Sequence, residues 1–150
     1  HVWDGECHVH AGIRPRDIEQ VRAAHPGADF LIHPECGCST SVMEYAAAGD
    51  IDDTGVHMLS TGGMLRYAAA AEPGATAIVA TEVGMLHPLR VAAPDTEFIA
   101  ANERAACLYM KMITLPKLRD ALRDLKHEVK VPADIAERAR VPIERMVAIS

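Results

Sequence analysis

The sequence predicts an α/β fold, a parallel sheet with covering helices, on three observations. Short apolar runs alternate with segments of helical periodicity. Pro-Gly and Gly-rich punctuation separates them with little linker between. The chain is 49% hydrophobic but only 4% aromatic. Ala, Val, Ile, Leu and Met carry that load, which suits buried parallel strands under Ala-rich helices.

The elements follow in order. Arg14 to His25 places Ile18 and Val21 on one helical face, and Pro26-Gly27 ends it. Ala28 to Ile32 is a short apolar run closed by His33-Pro34, which reads as a buried strand. Ser39 or Thr40 can cap a helix running through Met43, Tyr45 and Ala46 to Gly49. Val56 to Leu59 is the next strand, and Ser60-Thr61-Gly62-Gly63 leads into a helix from Met64 to Ala71. Thr76 to Ala80 is a third strand, Met85 to Ala93 a short helix, and Glu97 to Ala100 a fourth strand. From Cys107 onward the pattern turns helical. Leu115, Leu118, Leu122 and Leu125 recur at helical spacing, with Thr114 as a cap and Pro116 as an early-turn proline. His127 to Val131 is expected as a last short strand. Pro132-Ala133-Asp134 then opens a helix carrying Ile135, Ala139, Ile143 and Met146. Such alternation implies right-handed crossovers, and ligands gather at the carboxyl ends of the strands.

Composition narrows the function. A chain of 150 residues supports one compact core. A formal net charge of −6 argues against broad nucleic-acid binding, while a locally positive pocket for a small anion remains open. No apolar run is long enough to span a bilayer and no signal peptide precedes the first motif, so a cytoplasmic location is expected. The chain starts His1-Val2-Trp3-Asp4-Gly5 without an initiator Met, as a fragment lacking its natural N-terminal part would. Four cysteines in such a chain favour metal or redox chemistry over structural disulfides.

The residues able to do chemistry cluster after strands. The segment Trp3 to Cys7, His33-Pro34-Glu35, Ser60-Thr61 and Thr81-Glu82 each follow one, which places them along one edge of the sheet. Cys7 and Cys107 each stand where a helix can start, as an iron–sulfur thiolate does, but a lone cysteine is more often a small buried hydrophobe. Cys36-Gly37-Cys38 lacks the usual zinc spacing; a redox-labile pair or plain loop cysteines is favoured over zinc held with His8 and His10. His33-Pro34-Glu35 sets an imidazole and a carboxylate at a strand end. That pair can move protons near neutral pH, or be an ordinary strand-end histidine beside a solvated glutamate. Ser60-Thr61-Gly62-Gly63 can present hydroxyls and N–H groups to an anion, or simply cap its helix; it lacks the lysine of a P-loop. Thr81-Glu82 reads as a capping or packing pair unless the edge is functional. Met110 and Met112 read as core.

The order of these motifs carries more than any one of them. Gly5-Glu6-Cys7-His8-Val9-His10, His33-Pro34-Glu35-Cys36 and Ser60-Thr61-Gly62-Gly63-Met64 resemble successive motifs of the quinolinate synthases. Ala80-Thr81-Glu82-Val83-Gly84-Met85-Leu86-His87 and Cys107-Leu108-Tyr109-Met110-Lys111-Met112-Ile113-Thr114-Leu115 continue the series. The resemblance spans essentially the whole chain and is to the C-terminal half of that family. It implies one and a fraction of three pseudo-symmetric α/β domains: residues 1–10 ending a preceding domain, 11–103 a full one, and 104–150 a C-terminal helical tail. It further implies a 4Fe–4S cluster held by three cysteines, with Cys7 and Cys107 as two of them and the third in the missing N-terminal half. His33 and Glu35 would be catalytic, and His33, Pro34, Glu35, Ser60 and Thr61 would bind substrate. The reaction implied is a transferase step of NAD biosynthesis, joining iminoaspartate to dihydroxyacetone phosphate to give quinolinate, phosphate and water. The loop from Glu35 to Ser60 is longer than the family pattern, with Gly49 to Gly55 as the extra segment, and Cys38 is outside the pattern. Taken alone, the chain is expected to be inactive. The rival expectations are a truncated remnant that binds no cluster and a small metal-binding module.

Overall fold

The computed structural model describes residues 5–36 and 54–149. The helix expected up to Gly49, the extra segment up to Asp53, and Cys38 lie outside them. The chain divides into two units, His1–Leu108 and Tyr109–Ser150.

In the first unit α1 (His8–Ala11) and α2 (Pro15–Ala24) precede β1 (Asp29–Ile32). Pro15 fixes the first turn of α2, and the Asp17 carboxylate accepts from the Arg14 N–H at 3.1 Å. β2 (Val56–Met58), α3 (Thr61–Ala70), β3 (Thr76–Ala80), α4 (Leu86–Ala92) and β4 (Glu97–Ala100) follow, with a 3-10 turn at Val83–Met85. All four strands are parallel, in the order β2-β1-β3-β4. The register pairs Ile32 with both Met58 and Ala80, and Val79 with Ala100, so the carboxyl ends form one edge.

Alternation along the strands divides the core in two. Phe30, Ile32, Ile78 and Ala80 pack with Val9, Ile13 and Ile18 of the α1–α2 region and with Ala101 and Ala105. Leu31, Ala77, Val79 and Phe98 pack on the other face with Met64 and Ala68 of α3 and Leu89 of α4. Each large side chain so buried contributes about 1.5–3 kcal/mol. At the opposite, amino-terminal edge, Asp29 accepts from the Tyr67 hydroxyl and lies 3.4 Å from His57 Nε2.

The short α5 (Leu108–Lys111) spans the division between the units. The second unit then contains α6 (Leu115–Asp124), capped by the Thr114 hydroxyl accepting from the Lys117 N–H, and α7 (Ala133–Val147). Residues 127–131 form no strand. An isolated extended run has nothing to pair with, because every strand among the described residues belongs to the first unit. His127 instead adopts a left-handed φ of 65°, and Val129 is exposed. Met110 and Met112, expected in the core, are also exposed, since a single helical turn offers no face to bury them. The apolar faces of α6 (Leu115, Leu118, Leu122) and α7 (Ile135, Ile143, Met146) are exposed as well.

Candidate active site

The carboxyl edge of the sheet collects polar side chains from four separate segments. β1 runs out at Ile32, and the His33 N–H donates to the Ala80 carbonyl of β3 at 3.3 Å. Pro34 then begins a tight turn that closes with the Cys36 N–H on the His33 carbonyl at 2.9 Å. That turn carries Glu35 outward, with its side chain 68% exposed. The Glu35 N–H donates to His33 Nδ1 at 3.3 Å, which leaves the proton of the neutral His33 ring on Nε2.

His10, from α1, lies flat against His33, with ring centroids 4.7 Å apart and planes 9° from parallel. Its Nε2 shares a 3.0 Å hydrogen bond with the buried Thr81 hydroxyl at the end of β3, 71 residues away in sequence. Its Nδ1 is buried with no hydrogen-bond partner among the described residues. Glu35 Oε2 stands 3.6 Å from it, beyond hydrogen-bond reach. Burial lowers the His10 pKa below the usual imidazole value, the neighbouring His33 lowers it further, and Glu35 opposes both. This biases His10 toward the uncharged imidazole, with one ring nitrogen unused among the described residues.

His10, His33 and Glu35 bring potential ligand atoms within 4.8 Å of one another. Stacked rings, however, direct their in-plane lone pairs side by side, whereas an ion needs nitrogens converging at about 2.0–2.1 Å. The arrangement suits hydrogen bonds to a polar ligand better than a shared metal ion.

Two thiols pack against the core beneath the same strands. Cys7 caps α1, and its carbonyl accepts from the Ala11 N–H at 2.9 Å. Cys107 closes the segment that follows β4. Both are free, half-buried thiols packed against the one apolar cluster that includes Ile32, Ala80 and Ala105. Cys36, in contrast, is disulfide-bonded and buried. A sulfur in a disulfide is not a thiolate ligand, which goes against the zinc alternative and with the redox-labile reading favoured from the sequence.

Comparison with known proteins supplies the lineage. The model of the family described as Quinolinate synthetase A protein matches residues 1–148. The chain is 49% identical over 149 residues to the quinolinate synthase of Mycobacterium tuberculosis, covering 99% of this chain and 42% of that relative. It is 47% identical over 148 residues to the quinolinate synthase of Thermus thermophilus, again over 99% of this chain and 45% of that relative. The chain belongs to the quinolinate synthetase A family. It spans less than half the length of these relatives.

Against the family motifs, the structure brings His33 and Glu35 together with His10 and Thr81. It sets Ser60 and Thr61 on the same edge, where the Leu59 N–H continues the ladder onto the Ile32 carbonyl at 2.9 Å. Ser60 caps α3, its Oγ accepting from the Gly63 N–H at 3.2 Å, so the helix starts at Thr61 rather than Met64. The capping oxygen is engaged, but its hydroxyl proton is still available to a ligand. Sequence reasoning gave His10 only a place in the zinc alternative and Thr81 a packing role. The available signal was the three-residue spacing of His10 from Cys7, one helical turn.

Proposed function

We propose that this chain carries the proton-handling half of a quinolinate synthase site, acting on iminoaspartate and dihydroxyacetone phosphate on the way to NAD. The observation that carries the proposal is the orphaned Nδ1 of His10. A buried ring nitrogen with no partner costs about 1–3 kcal/mol, and a substrate oxygen or nitrogen placed between it and Glu35 removes that cost.

Forming the pyridine ring requires proton removal beside a carbonyl and proton delivery to departing hydroxyl and phosphate groups. Glu35, exposed at the tip of its turn, is suited to take and return those protons. Neutral His10 orients a substrate oxygen through Nδ1, with Thr81 holding its other nitrogen. His33, with its proton on Nε2, donates to a developing negative oxygen. Pro34 sets the distance between His33 and Glu35, and Ser60 and Thr61 offer hydroxyls to a carboxylate or phosphate at the neighbouring strand end.

Cys7 and Cys107 suit a 4Fe–4S cluster: both are free thiols packed against one apolar cluster, and the disulfide-bonded Cys36 is not needed. They would hold it with a third cysteine from a part of the protein outside this chain. When bound, a cluster with three protein thiolates offers a Lewis-acidic iron to a substrate oxygen. The same outside part is the natural cover for the exposed faces of α6 and α7.

The test uses the protein at its natural length, loaded anaerobically with iron and sulfide and supplied with both substrates. Quinolinate is followed by mass spectrometry. The parent should form it, and Glu35→Gln should bind substrate while losing about a hundredfold or more in turnover. Turnover near the parental rate in that variant would remove Glu35 from the chemistry. A parent that makes no quinolinate would overturn the functional reading.

A further inference from the structure

The pair Thr81-Glu82 ends β3, and Thr81 is accounted for by its bond to His10. Glu82 is not. Its Oε2 accepts from the Gly84 N–H at 2.7 Å, an ordinary cap on the 3-10 turn that follows. Its Oε1 accepts from the backbone N–H of Cys107 at 3.2 Å, across 25 residues of sequence. A carboxylate bound to N–H groups makes charge-assisted bonds, roughly twice as strong as neutral ones.

The segment leading to Cys107 is fastened at other points too. The Val83 N–H donates to the Ala105 carbonyl at 2.9 Å, so the two stretches are joined in both directions. Asn102 donates to the Gly12 carbonyl at 3.3 Å and to Asp17 at 2.9 Å, tying the start of the segment to the turn after α1. Ala101 and Ala105 anchor it in the core. Beyond Ala105, the one side-chain bond to Cys107 that the described residues record is that from Glu82. Cys107 is also the last residue before α5, and it stands one residue from the boundary between the two units. Without a fixed backbone, its sulfur would follow the movement of whatever comes after it.

We propose that Glu82 is the positioning residue for Cys107: its carboxylate pins the Cys107 backbone and so sets where the thiol sits relative to Cys7. This rests on the reading of Cys107 as a cluster ligand for its purpose, though not for its geometry. Gln at this position keeps a single acceptor oxygen and can hold only one of the two N–H groups, while Ala holds neither.

The experiment compares the parent, Glu82→Gln, Glu82→Ala and Cys107→Ala in the protein at its natural length. Metal-free protein is alkylated with iodoacetamide, and labelling of Cys107 and Cys7 is timed peptide by peptide. Labelling of Cys107 should accelerate several-fold in Glu82→Ala and by less in Glu82→Gln, with Cys7 unchanged. After anaerobic loading, Glu82→Ala should release iron to a chelator faster than the parent, with Glu82→Gln between them. Unchanged labelling of Cys107 in both variants overturns the proposal. So does equal acceleration at Cys7 and Cys107, which would mean general loosening rather than local positioning. Parental iron content in Cys107→Ala would instead overturn the cluster reading, and the labelling data would still decide whether Glu82 holds Cys107.

Discussion

His10 titrates below the ordinary imidazole range because it is buried and stacked on His33, with Glu35 only partly opposing the shift. The consequence for stability has a definite sign. The folded state binds a proton to His10 less readily than the unfolded chain, whose imidazole has a pKa of about 6.5. This contribution is fully present above about pH 6.5 and is lost as pH falls from there toward the lowered folded value. The urea midpoint of the parent should therefore decline between about pH 7 and the folded pKa, and His10→Gln should flatten that decline. An unchanged acid limb in the variant would place the linkage elsewhere. Thr81→Val tests the ring's orientation at the same scale, because removing the hydroxyl frees Nε2. Residue-level roles here were only partly legible in sequence. For His33 and Glu35 the residues alone left a functional and an ordinary strand-end reading open and only the family resemblance chose between them, whereas Thr81 gains its contact from a histidine 71 residues away.

At the scale of elements, strand ends position the chemistry and a glycine begins the pairing of β2. Gly55 has a φ of +75°, its carbonyl accepts from the Phe30 N–H at 2.7 Å, and a Cβ added there would meet Asp29 Oδ1 at 2.6 Å. Asp29 cannot yield freely, since it holds Tyr67 and faces His57. Gly55→Ala should cost about 1–2 kcal/mol for the left-handed backbone alone, and more for the clash. Gly74→Ala, at φ +83° with open space around it, isolates the backbone part. A lower urea midpoint for Gly55→Ala than for Gly74→Ala is the expected result, and equal midpoints would show that Asp29 adjusts without strain. Strands β1, β3 and β4 were readable because short apolar runs between Pro and Gly signals have few other fates. The run at 127–131 shows the limit: the same local pattern forms no strand where the described residues offer no neighbour to complete its hydrogen bonds.

For the whole molecule, the exposed leucines of α6 and isoleucines of α7 are the feature with the largest consequence. Their spacing makes amphipathic helices whose apolar sides remain in water here. Produced by itself, the 150-residue chain should bind a hydrophobic dye and self-associate in light scattering. Leu122→Asp should reduce both, yet destabilise the protein at its natural length, as the proposed cover of that face requires. A monomeric chain that binds no dye would show the faces to be adapted to solvent. The sequence by itself determined the α/β class, the four parallel strands, the sheet edge that gathers the candidate site residues and the order of motifs that marks the family. Those properties are local, because apolar runs, proline and glycine act within a few residues. Only the tertiary structure decided that His10 stacks on His33 with an unused nitrogen, that Glu82 reaches the Cys107 backbone, and that Cys36 is disulfide-bonded. The first two depend on parallel pairing that brings strand ends side by side, and no spacing along the chain encodes a distance across a sheet.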